Sequence, residues 1–391
     1  MEATGRVSLG TIAREWGRIG ITGFGGPPAH ILLLRRLCVE RRKWLSPEEF
    51  EDGIAATNLL PGPASTQLAI LTAWRLRGTA GALVGGACFI APGLALILAL
   101  AVLFLAGDPP PWVLGAAAGA GAAVPAVAVQ AATSLLPASF TRAGRARAAR
   151  VRWGGYALAG ALAAVLTGPW LVLVLIASGL TEIAVRRQPG GAGLERPRRT
   201  PGGPLPLAVA LPALGGLGAV AWTAFKVGAL SYGGGFVIIP LMQDDAVDRY
   251  HWMTDGQFLN AVALGQVTPG PVVQTVAVVG YAAAGIAGGL LAAAVAFAPS
   301  FLLVILGARH FDRLRADRRV QDFLTGAGPA VIGAIAGSAL PLAAALGHGW
   351  QWAVLGCALL WLVGARRGVV PALLAAGAAG VIAAATGLPL S

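Results

Sequence analysis

The chain has 391 residues, of which 56% are hydrophobic and 12% are charged, and its mean hydropathy is +0.72. This composition excludes an ordinary soluble globule and predicts an all-α, polytopic helical membrane protein. The net charge of +12 would suggest nucleic acid as a partner in a soluble protein, but the basic residues gather in short clusters between apolar segments. That distribution follows the positive-inside rule, so we expect membrane lipid around the chain and no nucleic acid bound to it.

The first predicted segments are interrupted by glycine and proline. Residues 1–38 contain a break at Gly23–Pro28, where a continuous helix is not expected to pass, so two half-helices should meet inside the membrane. A helix is predicted to begin at Ser46 and Pro47, which have the residue types of a cap and a first turn. The next segment, 53–74, is broken at Pro61–Pro63 and closed by a basic turn at 74–78.

The remaining segments are predicted from the same two features, the length of each apolar stretch and the positions of Gly and Pro that interrupt it. In chain order we predict spans at 79–106 and 112–137, a hairpin of two short helices at 154–185, a linker rich in Arg, Pro and Gly at 186–205, a crossing at 206–221, broken segments at 222–242 and 258–281, and spans at 285–308, 325–347, 350–364 and 369–388.

An ordered series of residues occurs twice in the chain. A shift of 208 residues pairs Gly20 with Gly228, Gly25 with Gly233, Gly26 with Gly234, Trp44 with Trp252, Phe50 with Phe258, and Pro61–Pro63 with Pro269–Pro271. After the second break a shift of 207 pairs Gln67 with Gln274. The series predicts an internal duplication, with a first transporter repeat at 1–185, a cytoplasmic linker at 186–205 and a second repeat at 206–391.

Matched loops of the two repeats differ in charge. Residues 35–43 are basic, whereas 243–255 hold four Asp and one Arg. The turn at 107–111 has no basic residue, whereas its counterpart at 309–319 has five. Because basic loops mark the cytoplasmic side, the repeats are predicted to have inverted topology, which is common among secondary transporters.

The motifs at these breaks resemble those of the chromate ion transporter family in its long form, with two homologous domains in one chain. They are Phe24–Pro27 with His30, Leu60–Pro63 with Gln67, Tyr232–Gly235 with Pro240–Met242, Trp252, and Thr268–Pro271. The resemblance implies export of chromate from the cytoplasm through the inner membrane, driven by the proton motive force, with chromate resistance as the phenotype. It implies no enzymatic activity and no cofactor.

Chromate is a tetrahedral dianion, so its site needs hydrogen-bond donors that converge from several directions. Broken helices supply such donors, because a helix N-terminus carries free N–H groups and a partial positive charge. The candidate substrate ligands at the breaks and on the half-helices after them are Gly25, Gly26, Pro61, Gly62, Pro63, Ser65, Thr66, Gln67, Gly233, Gly234, Gly235, Thr268, Pro269, Gly270, Pro271, Gln274 and Thr275.

Several basic residues complete the set of candidates. Arg18 and Lys226 correspond under the 208 shift, and a cation in an apolar segment suggests a functional site, although snorkelling to the lipid headgroups is the competing interpretation. Arg75 and Arg77 fit either an orienting role or attraction of oxyanions. His30 has the pKa range of a proton acceptor, but a hydrogen-bonded structural histidine also fits.

The alternatives differ in substrate and in class. Sulfate has nearly the same shape and charge as chromate, so a transporter of another oxyanion remains open. An intramembrane enzyme acting on lipid or peptide would need motifs such as HExxH or GxSxG, which the sequence lacks. A channel with a glycine-rich filter is the third alternative. The three scattered cysteines indicate no metal site, and the sequence leaves a homodimer open.

Overall fold

The computed structural model describes residues 7–57, 60–105, 109–166, 171–186, 216–231, 238–307 and 317–389. Within these ranges the regular secondary structure is helical, which confirms the all-α prediction. The helices are α1 (Leu9–Thr22), α2 (Pro27–Arg35), α3 (Pro47–Thr57), α4 (Ala64–Phe104), α5 (Pro111–Ala143), α6 (Arg147–Leu166), α7 (Leu171–Arg186), α8 (Leu217–Leu230), α9 (Ile238–Gln243), α10 (Asp255–Val267), α11 (Thr275–Gly307), α12 (Arg318–Ala344), α13 (Gly349–Leu359) and α14 (Val369–Ala385).

Short stretches of other helix types extend this framework. A 3₁₀ turn at Val272–Gln274 leads into α11, and π-helical turns follow α2, α9 and α13 at Arg36–Arg41, Asp244–Arg249 and Leu360–Gly364. The helices α4, α5 and α12, and the segment Val272–Gly307, are each long and apolar enough to cross a membrane. The chain is therefore a polytopic membrane protein.

The first break has the local structure that its sequence predicts. Helix α1 ends at Thr22 and α2 begins at Pro27. Between them Gly25 and Gly26 have φ values of 98° and 73°, a backbone conformation that residues with a side chain rarely adopt. Two consecutive prolines then begin α2, where their missing N–H groups cost no helix hydrogen bond. The half-helices expected at this position are present.

Helices α4 and α11 each contain a sharp turn that separates a half-helix from a full span. In α4 the turn lies at Arg77 and Gly78, and in α11 it lies at Ala284 and Gly285, with nearly equal dihedral angles at matched positions. After the first turn Gly81 lies against the Ala73 carbonyl group, which a straight helix would place about 12 Å away. The half-helix after each Pro-Gly-Pro loop therefore turns back on the span that follows it.

One predicted segment is wrong where the structure describes it. Residues 217–221, assigned to a separate crossing at 206–221, form the start of α8, which continues unbroken to Leu230. Gly216 is the N-cap of α8, and the glycine directly before Leu217 is a local signal that the prediction did not use. Residues 206–215, and the predicted linker apart from Arg186, lie outside the described residues.

The two halves of the chain are packed into each other. Helix α5 packs against α13 and α14, whereas α12 packs against α6 and α7. Glycine allows these backbones to approach closely, as where Gly119 lies against the backbone of Ala376 and Gly333 against that of Ala157. Small residues are typical of such contacts in membranes, where lipid is as apolar as the side chains and close packing must drive association.

Candidate functional site

Each Pro-Gly-Pro loop is hydrogen-bonded to the helix break of the other half. The Gly62 N–H donates to the Ser231 carbonyl oxygen at 2.7 Å, and the Gly270 N–H donates to the Gly23 carbonyl oxygen at 3.1 Å. Both donors and both acceptors correspond under the shift of 208 residues. Both loops thus meet a chain break from the opposite half.

Two helix N-termini directly follow these loops. The first-turn N–H groups of Ala64 and Ser65 in α4, and of Val272 and Val273 before α11, have no hydrogen-bond acceptor among the residues that the structure describes. Free first-turn amides and the helix dipole together favour an anion. Ala64 and Val272 both line the same cavity, so the two N-termini can act on one ligand.

The cavity has a volume of about 400 Å³ and includes several predicted site residues. Gly25, Gly26 and Gly62 form part of its wall. Polar side chains that the sequence analysis did not single out also line it: Thr57, Gln130, Ser134, Ser139, Arg142 and Gln266. Gln266 is buried, and its Nε2 has no acceptor within the described ranges. Gln130, Ser134 and Arg142 are four and eight residues apart, so they lie on one face of α5. This spacing is the signal by which the sequence could have identified α5 as part of the site.

The predicted ligands after the first loop are buried. The Gln67 Nε2 donates to the Pro61 carbonyl oxygen at 2.6 Å, so this amide holds the loop. The Thr66 hydroxyl has no partner among the described residues. The Ser65 hydroxyl lies 3.2 Å from the His30 Nδ1. Of these three side chains, Thr66 keeps a hydroxyl free for a ligand.

Around the second loop the side-chain donors of the predicted ligands are used within the protein, whereas the Gln274 Oε1 has no partner among the described residues. The Gln274 Nε2 donates to the Ile90 carbonyl oxygen at 2.8 Å. The hydroxyls of Thr268 and Thr275 donate to the carbonyl oxygens of Leu264 and Val272, each at 2.8 Å. The predicted ligands Gly233, Gly234 and Gly235 lie outside the described residues. Substrate contact by the second-loop residues stays a prediction.

His30 is fully buried at the first break. Its Nε2 lies 2.8 Å from the Gly23 carbonyl oxygen, which can only accept, so Nε2 carries the hydrogen and Nδ1 accepts from the Ser65 hydroxyl. Its ring also contacts the ring of Phe89 edge-on, with centroids 5.1 Å apart. These contacts fix the chain at the break, and a role for His30 in proton transfer stays a prediction.

The matched cations Arg18 and Lys226 have different surroundings. Arg18 is exposed on α1. Lys226 on α8 forms an ion pair with the fully buried Asp245, which also accepts a hydrogen bond of 2.8 Å from the Thr223 hydroxyl. Snorkelling therefore fits Arg18 better than Lys226. Contact of either cation with substrate stays a prediction.

The two arginines at the end of the first half-helix lie away from the cavity wall. Arg75 donates to the backbone carbonyl oxygen of Glu49 in α3, and Arg77 lies in the turn that ends the half-helix. Arg75 thus ties α3 to α4. Attraction of oxyanions by either residue stays a prediction.

Comparison with known proteins shows the family to which the chain belongs. The sequence model of the family described as "Chromate transporter" matches residues 10–183 and again 218–383, once in each half. The chromate transport protein of Cupriavidus metallidurans is 31% identical over 332 residues, which cover 83% of this chain and 80% of that protein. The chromate transport protein of Pseudomonas aeruginosa is 30% identical over 406 residues, with 93% and 89% covered.

A protein of Synechococcus elongatus named as a probable chromate transport protein is 30% identical over 339 residues, with 86% of this chain and 84% of that protein covered. No solved structure matches the chain. Because the family match covers both halves and the relatives cover most of the chain, the resemblance in the motifs is confirmed. This chain belongs to the chromate transporter family.

Proposed function

We propose that the protein exports chromate from the cytoplasm across the inner membrane as a proton-driven antiporter. The family and the names of its relatives support chromate as the substrate. The observation that carries the proposal is the opening of two helix N-termini, at Ala64 and Val272, onto one cavity beside the broken helices.

This geometry suits a tetrahedral dianion. Moving such an ion out of water is very costly unless donors replace its hydration shell. Free amides on two helices border the cavity, and the helix dipoles add partial positive charge. The same donors would serve sulfate, because the two ions have similar shape and charge. Sulfate is therefore the alternative substrate, and competition between the two ions measures the selectivity.

We also propose that the two halves, 1–185 and 206–391, are inverted repeats that provide alternating access. The exchange of hydrogen bonds between Gly62 and Ser231 and between Gly270 and Gly23 supports a two-fold relation between the halves. The opposite charges of matched loops support the inversion. Under this arrangement the cavity opens to one side of the membrane at a time.

The transport proposal is tested with everted membrane vesicles that contain the protein. Energised vesicles should accumulate radiolabelled chromate, and an uncoupler should abolish the accumulation. Vesicles without the protein are the control, and unlabelled sulfate in excess tests selectivity. Accumulation that persists with the uncoupler would remove the proton drive, and no accumulation above the control would remove chromate export.

The inversion is tested separately by labelling from one side of the membrane. The sites of Glu40→Cys and Asp248→Cys lie in matched loops, and both residues are exposed. In a background in which Cys88 and Cys357 are replaced, an impermeant thiol reagent should label one of them from outside and the other from inside. Labelling of both from the same side would contradict the inverted topology.

A further inference from the structure

Helix α5 carries a line of polar side chains along the cavity, which we name the polar track: Gln130, Ser134, Ser139 and Arg142. Gln130, Ser134, Ala138 and Arg142 follow one another at four-residue intervals, which places them on one helix face. These four residues and Ser139 all line the cavity. From Gln130 to Arg142 the track extends about 18 Å, a large part of the thickness of a membrane.

The two ends of the polar track differ in chemistry. Arg142 is exposed in the last turn of α5, at the start of the arginine cluster at 142–152, and it is the cation on the described cavity wall. At the other end the same wall holds Ala64 and Val272, whose N–H groups have no acceptor among the described residues, and the buried Gln266. The Gln266 Nε2 has no acceptor in the part of the chain described, and a buried donor of this kind is costly unless a ligand accepts its hydrogen.

The matching helix of the second half lacks the polar track. Pro125 and Pro137 of α5 correspond to Pro329 and Pro341 of α12, which have the same spacing of 12 residues. In this register Gln130, Ala138 and Arg142 correspond to Ala334, Leu342 and Leu346. Ser134 corresponds to Ser338, and both hydroxyls donate to a carbonyl oxygen of their own helix, those of Ala131 and Ile335. Ser139 accepts a hydrogen bond of 3.0 Å from the Trp153 Nε1, which is a structural contact. Helix packing in α12 does without the side chains of Gln130 and Arg142, so the presence of these two residues in α5 suggests a separate role.

We propose that the polar track is the path by which tetrahedral oxyanions enter the site, with Arg142 attracting them at the mouth and Gln266 binding them at the inner end. The inference rests on the proposed function only in taking an oxyanion as the substrate. A guanidinium group suits an oxyanion because its N–H groups match two oxygens at once. A cation at a cavity mouth also raises the local anion concentration and the rate of association, an effect that salt weakens.

Access along the path is tested by cysteine labelling. Ser134→Cys is made in a background in which Cys88 and Cys357 are replaced, since Cys38 is buried. The matched control is Thr133→Cys, an exposed neighbour on α5 that does not line the cavity. A charged methanethiosulfonate reagent should react with Cys at 134 at least about tenfold faster than with Cys at 133, because thiolates react in water and not in lipid.

Sulfate in millimolar concentration should slow the labelling at 134 and leave the labelling at 133 unchanged. Sulfate is used because chromate itself oxidises thiols. Equal labelling rates at the two positions, or labelling at 134 that sulfate does not slow, would overturn the path.

The role of Arg142 is tested by transport kinetics. Arg142→Gln should lower the initial rate at low chromate concentration about tenfold and weaken its dependence on salt, with little change at saturation. The control is Arg145→Gln, which removes a neighbouring charge of the same cluster away from the cavity wall. Equal effects of the two variants, or an effect on the saturated rate alone, would overturn the assignment of Arg142. If wild-type vesicles do not transport chromate, the proposed function fails, whereas the labelling with sulfate still tests the path.

Discussion

The two Pro-Gly-Pro loops share a backbone arrangement and differ in the side chains around it. The hydroxyl-bearing residues around the first loop are Ser65, Thr66, Ser231 and Ser300. Under the shifts that relate the two halves, the residues at these positions around the second loop are Val272, Val273, Gly23 and Gly93. Two residues of each half thus place four hydroxyls around the first loop, and the four corresponding residues around the second loop have no polar side chain.

The hydroxyls around the first loop are in large part unused. Those of Thr66, Ser231 and Ser300 are fully buried and have no partner within the described ranges. Ser231 and Ser300 also flank Gly62, since the Ser231 carbonyl accepts the Gly62 N–H and the Ser300 Oγ lies 3.0 Å from where a Gly62 Cβ would be. Buried hydroxyls without partners are costly. We therefore expect the first loop to be the half-site that binds the anion.

The ion pairs beside the two breaks are also different, because their polarity is reversed. In the first half the acid is on the first helix, where Glu15 pairs with Arg41 and Arg42, whose side chains are 55% and 44% exposed. In the second half the base is on the matching helix, where Lys226 pairs with the fully buried Asp245. The halves thus share the glycines and prolines that shape the backbone, and their charges and hydroxyls have diverged.

The largest expected difference between the halves lies in these ion pairs. Lys226→Ala leaves Asp245 buried without its cation and should lower the free energy of unfolding by about 3–5 kcal/mol. Glu15→Ala should lower it by about 1 kcal/mol, because the arginines it releases are exposed to water. Denaturant unfolding of the purified protein in detergent measures both.

Equal losses in the two variants would contradict the difference in burial. The double variant Lys226→Met with Asp245→Leu is the control, since removing both charges should restore most of the stability. The transport activity of the double variant then separates a role of Lys226 in stability from a role in contact with substrate. A stable double variant that does not transport would favour contact between Lys226 and substrate.

A smaller effect is expected when the first half-site loses its hydroxyls. Ser231→Ala and Ser300→Ala should each weaken chromate binding about tenfold, because a hydrogen bond to a charged group contributes about 1.5–3 kcal/mol. Stability should change little, since neither hydroxyl has a partner to lose among the described residues. Equilibrium dialysis with radiolabelled chromate gives the dissociation constants.

The matched control for these variants is Ser338→Ala, which removes an equally buried hydroxyl that donates to the Ile335 carbonyl oxygen at 2.8 Å. It should leave chromate binding unchanged. If Ser231→Ala and Ser300→Ala bind chromate as tightly as the wild type, the anion does not depend on the first half-site.

The smallest effect should be the same in both halves, at the turns inside α4 and α11. Gly78 and Gly285 have φ values of 60° and 62°, and a Cβ at either position would have no neighbour within 4 Å. Gly78→Ala and Gly285→Ala should therefore each cost about 1–2 kcal/mol from backbone strain alone. Unfolding in detergent compares the two, and clearly unequal losses would show that the turns are not equivalent.

The sequence by itself determined the local features of the protein. Gly25, Gly26 and the Pro-Gly-Pro loops predicted the breaks, because glycine and proline restrict or release the backbone whatever surrounds them. Ser46 predicted the start of α3, and its hydroxyl does accept the Glu49 N–H at 3.1 Å. The order of these residues also revealed the duplication. At 217–221 the prediction was wrong because the two glycines directly before Leu217 were not taken as a helix start.

Only the tertiary structure decided which of these features meet. The exchange of hydrogen bonds between loops and breaks, the pairing of Lys226 with Asp245, and the joining of Gln130 and Gln266 in one cavity all depend on how distant helices pack. Packing is set by the summed contacts of many side chains, whereas a break or a cap is set by a few neighbouring residues. For this reason the sequence predicted the elements of the site, and the fold selected the residues that line it.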